Sequence, residues 1–226
     1  MPVFRLTEAL VFPDPELAEE GLLAIGGDLS VPRLLLAYRS GIFPWFGEED
    51  PLLWWSPPER ALLRPGHLHL SARTRRSLRN RPFEVRFDTA FEAVIGHCSQ
   101  APRPGQDGTW ITPDMREAYS DLHRAGHAHS VEAWREGELR GGLYGVSLGG
   151  AFFGESMFSL EPEASRAALA GLDARLTGWG FSMLDGQLPH EGLAGYGFQC
   201  MPRALFLVEL AEALRAEGRK GSWSEG

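Results

Sequence analysis

Two carboxylates in this chain stand where a carboxylate is costly. Glu155 lies within the glycine-rich apolar segment 141–158, flanked by Phe152, Phe153, Met157 and Phe158. Taking even a neutral polar group out of water without a partner costs about 2–7 kcal/mol, so this acid needs a partner. Asp185 ends the apolar stretch FSMLDGQ (181–187), and Gln187 follows it. Residues i and i+2 of a strand share a face, so Asp185 and Gln187 are expected side by side. Two strands that each deliver an acid at the C-terminal end are a common way to load an enzyme site. The chemistry available to these types is binding a nucleophile such as an amine and steering or taking its proton.

Other chemistries have weaker footing. His127 and His129 alternate on one strand face with His123 nearby, but no third ligand has convincing zinc spacing. Structural or hydrogen-bonding histidines are expected there, and no metal. Ser156 follows Glu155, yet GESMF is not the G-x-S-x-G elbow of nucleophilic serines. The run Arg175-Leu176-Thr177-Gly178-Trp179-Gly180 fits the pattern with which acetyltransferases hold the pyrophosphate of CoA. Here it closes a helix, where glycines serve as C-caps. Glu161 and Glu163, placed before that helix, would repel a pyrophosphate. A CoA-dependent N-acetyltransferase is therefore the rival enzyme, and a non-catalytic RNA-binding module is the rival of another class.

The elements that must position these residues can be read from pattern. Ser30 and Pro32 open a helix with Leu34, Leu35 and Tyr38 as apolar positions, and Gly41 stops it. Pro57-Pro58 is a plausible boundary. Ser71 caps a basic helix to Arg79, and 83–87 alternates as a strand. Asp88 or Thr89 caps a helix carrying Phe91, Val94, Ile95 and Cys98 at helical spacing. A polar loop covers 99–108, and Thr112-Pro113 opens the next helix, with Met115, Tyr119 and Leu122 inward. Strands at 127–135, 138–146 and 152–158 follow, then a helix from 164 or 165 to 177. A strand at 181–184 and a helix at 202–216 complete the order. The tail from Glu217 is expected to be disordered. The reading is α+β: a small N-terminal domain over 1–62, then a catalytic domain over 63–226. Its element order suits the acyl-CoA N-acyltransferase-like (GNAT-like) fold.

Composition bounds the rest. The chain has 226 residues, 43% of them hydrophobic, enough for a buried core. No apolar run approaches the ~20 residues that span a bilayer, and the first residues carry no basic-then-apolar secretory pattern. Two cysteines, Cys98 and Cys200, are too few for a disulfide framework. A cytoplasmic protein with no membrane partner is expected. The formal net charge of −8 argues against nucleic acid, but its distribution does not. Arg60, Arg64, Arg73, Arg75, Arg76, Arg79, Arg81 and Arg86 are opposed only by Glu84 over 60–86. Such a patch can steer a phosphate backbone, although charge alone favours a solvated helix face.

Seven motifs in order carry a resemblance: LLAIGGDLS (22–30), FPWF (43–46), LLWWSP (52–57), GTWI (108–111), AHSVEAW (128–134), GGLYG (141–145) and GESMF (154–158). Together they resemble the leucyl/phenylalanyl-tRNA–protein transferase family from about Phe12 to Phe206. Gly186 stands where that family often has Cys, and His190 is offset from the family's His-Leu pair. The resemblance implies a GNAT-like fold and transfer of Leu or Phe from charged tRNA to the N-terminal Arg or Lys of acceptor proteins. It implies that this marks them for N-end rule degradation. The donor ester is already activated, so no cofactor, ATP or metal is implied. Asp185, Gln187 and Glu155 become the catalytic set. Leu143, Phe152, Met157, Leu169, Leu172 and Leu184 would line the donor side-chain pocket, a role that periodicity does not separate from core. Trp45 and Trp110 would stack near the terminal adenosine, and Arg73, Arg75, Arg76 and Arg79 would track the tRNA backbone.

Overall fold

The computed structural model describes residues 3–101 and 109–224, so positions 102–108 of the expected polar loop lie outside the described residues. A first sheet has the order β1-β2-β4-β3, from β1 (Phe4–Leu6), β2 (Leu22–Gly26), β3 (Phe43–Pro44) and β4 (Leu53–Trp55). Helix α1 (Val31–Arg39) connects β2 to β3. Its stop is Gly41, at φ +71°, where an added Cβ would lie 2.6 Å from a Leu207 methyl. Glycine is required there by both conformation and space.

The second sheet has seven strands in the order β11-β5-β10-β9-β8-β7-β6. They are β5 (Glu59–Leu63), β6 (Glu84–Phe87), β7 (Ala128–Arg135), β8 (Glu138–Leu148), β9 (Ala151–Ser159), β10 (Met183–Asp185) and β11 (Gln199–Pro202). The helices are α2 (Ala72–Asn80), α3 (Phe91–Gln100), α4 (Pro113–Arg124), α5 (Ala164–Gly178), α6 (Glu191–Ala194) and α7 (Arg203–Ala213). Every pairing in this sheet is antiparallel except β9 with β10, which α5 connects. A parallel pair requires such a crossover. One face packs on α1, α3 and α4 through Tyr38, Val94, Tyr119, Val146 and Phe153. The other packs on α5 through Leu143, Phe152, Leu169 and Leu172.

Several local expectations hold. Ser71 accepts from Thr74 N at 3.1 Å and Thr112 from Met115 N at 3.3 Å, each satisfying an orphan amide at a helix start. Gly180, at φ +72°, follows α5 as its stop. Others do not hold. Ala90, not Asp88 or Thr89, occupies the N-cap of α3. Asp88 is drawn away by tertiary partners: its carboxylate accepts from His129 Nδ1 at 2.9 Å and from the backbone N–H of Ser130 and Trp223. Burial alone would raise Asp88, but these donors hold it below the usual carboxylate range.

The tail from 217 is a correction of the same kind. Trp223 is 2% exposed, stacks on His129 at 3.9 Å, and packs against Phe152, Trp179 and Phe181. One aromatic side chain finds a slot on the α5 face of the sheet, and its burial offsets the ordering of the short segment before it.

Candidate functional site

The site forms around a flaw in a strand pairing. Along β8 and β9, Tyr144 faces Ser156 while the next residue, Gly145, faces Gly154, so Glu155 is an extra residue in β9. A bulge of this kind re-aims side chains. Phe152 and Met157 are five apart and would lie on opposite faces of a regular strand. The bulge puts both on the α5 side, where Met157 faces Leu143. Glu155 goes to the other side, where Tyr38 of α1 and Tyr119 of α4 wait. The Tyr38 hydroxyl is hydrogen-bonded to Glu155 Oε1 at 2.7 Å, and the Tyr119 hydroxyl to Oε2 at 3.1 Å. Burial drives the Glu155 carboxyl up to about 7. The tyrosine hydrogen bonds and Arg60 oppose that rise, and the Asp185 charge adds to it.

Asp185 has a different fate. It is fully buried and pairs with the Arg60 guanidinium, whose own side chain is 1% exposed. Arg60 also donates to Gly41 O at 2.8 Å and lies over the rings of Phe43 and Phe206. Arg60 therefore leaves the expected surface patch. An arginine inside the apolar strand ERALL (59–63) is the same anomaly as a glutamate inside β9, and that signal could have found it. Tyr38 and Tyr119 gave no such signal, since a tyrosine at an apolar helix position is ordinary.

Gln187 does not continue the strand. β10 ends at Asp185, and Gln187 turns into the left-handed region at φ +61°. The shared strand face expected for Asp185 and Gln187 is replaced by a turn in which Gln187 N donates to Asp185 Oδ1 at 2.8 Å. Gln187 Nε2 then reaches Glu155 Oε1 at 2.7 Å. The three residues thus meet in a hydrogen-bonded chain from Arg60 through Asp185 and Gln187 to Glu155.

Two cavities meet at the Glu155 end of this chain. An apolar cavity of about 280 Å³ is lined by Leu143, Met157, Leu169, Leu172 and Leu184, and closed by Leu193, Tyr196 and Phe198. Phe152 is not in its wall; fully buried beside Trp223, it packs beneath the cavity. The residues of 193–198 were missed because a short irregular segment has no periodicity to read. The second cavity, about 200 Å³, is lined by Phe43, Pro44, Trp45, Trp110, Gln187 and Leu188. Glu155, Gly186 and His190 belong to both. Trp45 and Trp110 also wall a larger outer cleft of about 780 Å³, so the aromatic side opens outward.

Arg73, Arg75, Arg76 and Arg79 are exposed on α2. The rest of the basic run is engaged elsewhere: Arg64 with Glu209, Arg81 with Glu161, and Arg86 with Glu84. His129 is held by Asp88 and Trp223, with burial pushing its pKa down, and His123 Nδ1 lies 2.8 Å from Ala128 O. Among the described residues no group of three His, Cys, Asp or Glu side chains could hold a metal ion. Among them, no helix is long and apolar enough to cross a membrane.

A mixed α+β chain with an apolar cavity and a polar chain of carboxylates at its mouth has the build of a group-transfer enzyme. Residues 62–211 match the leucyl/phenylalanyl-tRNA protein transferase family, and 27–58 match that family's N-terminal domain. Proteins named leucyl/phenylalanyl-tRNA–protein transferase align along the chain. One from Myxococcus xanthus is 54% identical over 100% of this chain and 98% of its own length. One from Anaeromyxobacter sp. (strain Fw109-5) is 52% identical, covering 99% and 95%. One from Nitratidesulfovibrio vulgaris (strain DP4) is 52% identical, covering 96% and 93%. The chain belongs to the leucyl/phenylalanyl-tRNA protein transferase family.

Proposed function

We propose that the chain moves Leu or Phe from the 3′ end of charged tRNA onto the N-terminal Arg or Lys of an acceptor protein in the cytoplasm, marking the acceptor for N-end rule degradation. The observation that carries this reading is the meeting of an apolar cavity and an aromatic cavity at Glu155, Gly186 and His190. The donor side chain enters among Leu143, Met157, Leu169, Leu172 and Leu184. The terminal adenosine lies against Trp45 and Trp110, where stacking on a base is worth about 1–3 kcal/mol. The ester then falls at the junction. Arg73, Arg75, Arg76 and Arg79 track the tRNA backbone, positioning it without reading the amino acid.

The nucleophile is an α-amine with a reference pKa of ~7.7–8.0, so a useful fraction is neutral near pH 7. Holding amine and ester in line can contribute ~7–11 kcal/mol. Gln187 spends its Nε2 on Glu155, so its carboxamide oxygen is the atom that accepts a hydrogen from the amine. Asp185, paired with Arg60, is a positioning residue that fixes the Gln187 turn. We also infer a domain division just before β5, a few residues ahead of the expected boundary at 62, because Glu59–Leu63 already pairs with β10 and β11, and a GNAT-like catalytic fold, supported by the parallel β9–β10 pair and its α5 crossover.

Label transfer from charged tRNA to a peptide beginning with Arg tests the reading. Transfer from acetyl-CoA instead would move the chain to the rival enzyme class.

A further inference from the structure

Three side chains from three elements close a triangle beside the junction of the cavities. The Tyr38 hydroxyl is hydrogen-bonded to the Tyr119 hydroxyl. Tyr38 also lies 2.7 Å from Glu155 Oε1, and Tyr119 lies 3.1 Å from Glu155 Oε2. Each oxygen–oxygen hydrogen bond needs one proton. Two neutral tyrosines bring one each. With Glu155 ionised, both protons go to its oxygens, and the tyrosine oxygens face each other with lone pairs only. With Glu155 protonated the ring closes: Oε2–H to Tyr119, Tyr119 to Tyr38, Tyr38 to Oε1. The Gln187 Nε2 donation at 2.7 Å is compatible, because Oε1 can accept twice.

We propose that the closed ring with Tyr38 and Tyr119 forms around a protonated Glu155, and that Glu155 is the general acid that protonates the departing ribose oxygen. This rests on the transferase reading. The amine nitrogen attacks the ester carbonyl carbon, the C–N bond forms, and the C–O3′ bond breaks with its electron pair going to O3′. Glu155 gives its proton to that oxygen. The surplus proton on the new amide nitrogen returns to the Glu155 carboxylate, and the ring ends as it began. A ribose alkoxide is a poor leaving group, so the proton matters. Glu155 lines both cavities and thus reaches the ester from the wall they share.

The surroundings are consistent. Burial raises Glu155 to about 7, against the opposing effect of tyrosine hydrogen bonds given to its carboxylate form. Burial, with the nearby Glu155 charge, holds Tyr38 and Tyr119 well above the usual phenol range, so they stay neutral. The other charged or titratable groups facing the ring are Asp185 of β10, Arg60 of β5, Tyr144 of β8 and His190 before α6. Tyr38 and Tyr119 are positioning residues; Glu155 is the catalytic one.

The test compares two leucine donors in single-turnover transfer to an Arg-initiated peptide. One is leucyl-adenosine, whose ribose oxygen needs a proton; the other is leucyl p-nitrophenyl ester, whose leaving group does not. Glu155→Gln should slow the ribose donor by about 10²–10⁴-fold and remove the decline on the alkaline side of its pH profile. Tyr119→Phe should slow the ribose donor by about 10-fold or more, with a clearly smaller loss for the nitrophenyl ester. Equal losses for both donors would make the ring purely structural and overturn the proposal. Infrared spectroscopy on the wild type covers the case of a variant that does not fold. A carboxylic-acid carbonyl band that is present below pH ~7 and lost above it, the range set by the Glu155 carboxyl, supports the ring. Its absence at low pH overturns it. If wild type transfers neither donor, the transferase reading falls, and this proposal with it.

Discussion

Asp185 and Glu155 look alike in sequence, each an acid set in an apolar run, yet the fold treats them in opposite ways. Asp185 is sealed with a cation: Arg60 pairs with it, and both side chains are buried. Glu155 has only neutral hydrogen-bond partners, Tyr38, Tyr119 and Gln187, and faces two cavities. A buried carboxylate tied to a guanidinium is pinned in place and becomes a fixed part of the frame. A desolvated carboxylate with neutral partners loses less by taking a proton, so it titrates near neutrality. The partner, not the acid, decides whether a buried carboxyl is pinned in the frame or left facing a cavity.

Breaking the sealed pair should have the largest effect. Arg60→Met leaves Asp185 buried without a counter-charge and should cost about 3–5 kcal/mol in urea unfolding. Arg60→Met with Asp185→Asn should recover much of that loss. A double variant no more stable than the single one would show that Arg60 acts through Gly41 and Phe206 instead.

On the open side, the expected effects concern selectivity. Met157→Ala enlarges the apolar cavity and should lower transfer of Leu or Phe relative to Ala by about 10–200-fold, the worth of a few methylenes in a pocket. Phe152→Ala, beneath the cavity, should lower stability by about 3–5 kcal/mol with less change in donor preference. Matching donor profiles for the two variants would erase the distinction between wall and core.

The pH dependence of stability sharpens the comparison. The folded Glu155 carboxyl sits near 7 against an ordinary 4.5. Between those values the folded state binds more protons than the unfolded chain, so this group's contribution falls as pH rises through that window and is flat above it. Glu155→Gln should flatten this part of the melting-temperature profile. A profile equal to wild type would mean that Glu155 titrates at its ordinary value.

The smallest effect is expected far from both acids. Arg76→Ala, at an exposed position of α2, should change stability by less than ~0.5 kcal/mol. It should weaken charged-tRNA binding and flatten the log–log salt slope by roughly 0.7–0.9 for each phosphate that Arg76 neutralises. A minimal aminoacyl-adenosine donor should be unaffected. Equal weakening with tRNA and the minimal donor would rule out an interaction with the tRNA backbone.

The sequence by itself determined the local facts. Helix α2 begins at Ser71 and α4 at Thr112 because a hydroxyl satisfies an orphan amide at each start, and α5 stops at Gly180 because glycine tolerates a positive φ. It also marked Glu155, Asp185 and Gln187, since polar groups inside apolar runs demand an explanation, and its motifs pointed to the family. It showed neither the short strands β1, β2, β5 and β11 nor the pocket residues around Leu193–Phe198. Such segments are stabilised by neighbours distant in the chain, not by local pattern. Only the tertiary structure decided that Arg60 would be a buried counter-ion rather than a surface charge, because strand β5 lies against β10. It alone decided that the bulge at Glu155 turns Met157 into the cavity, and that Trp223 orders a tail of otherwise polar composition. In each case the deciding energy is that of a partner brought from elsewhere in the chain: a counter-charge, a cross-strand register, or an aromatic slot.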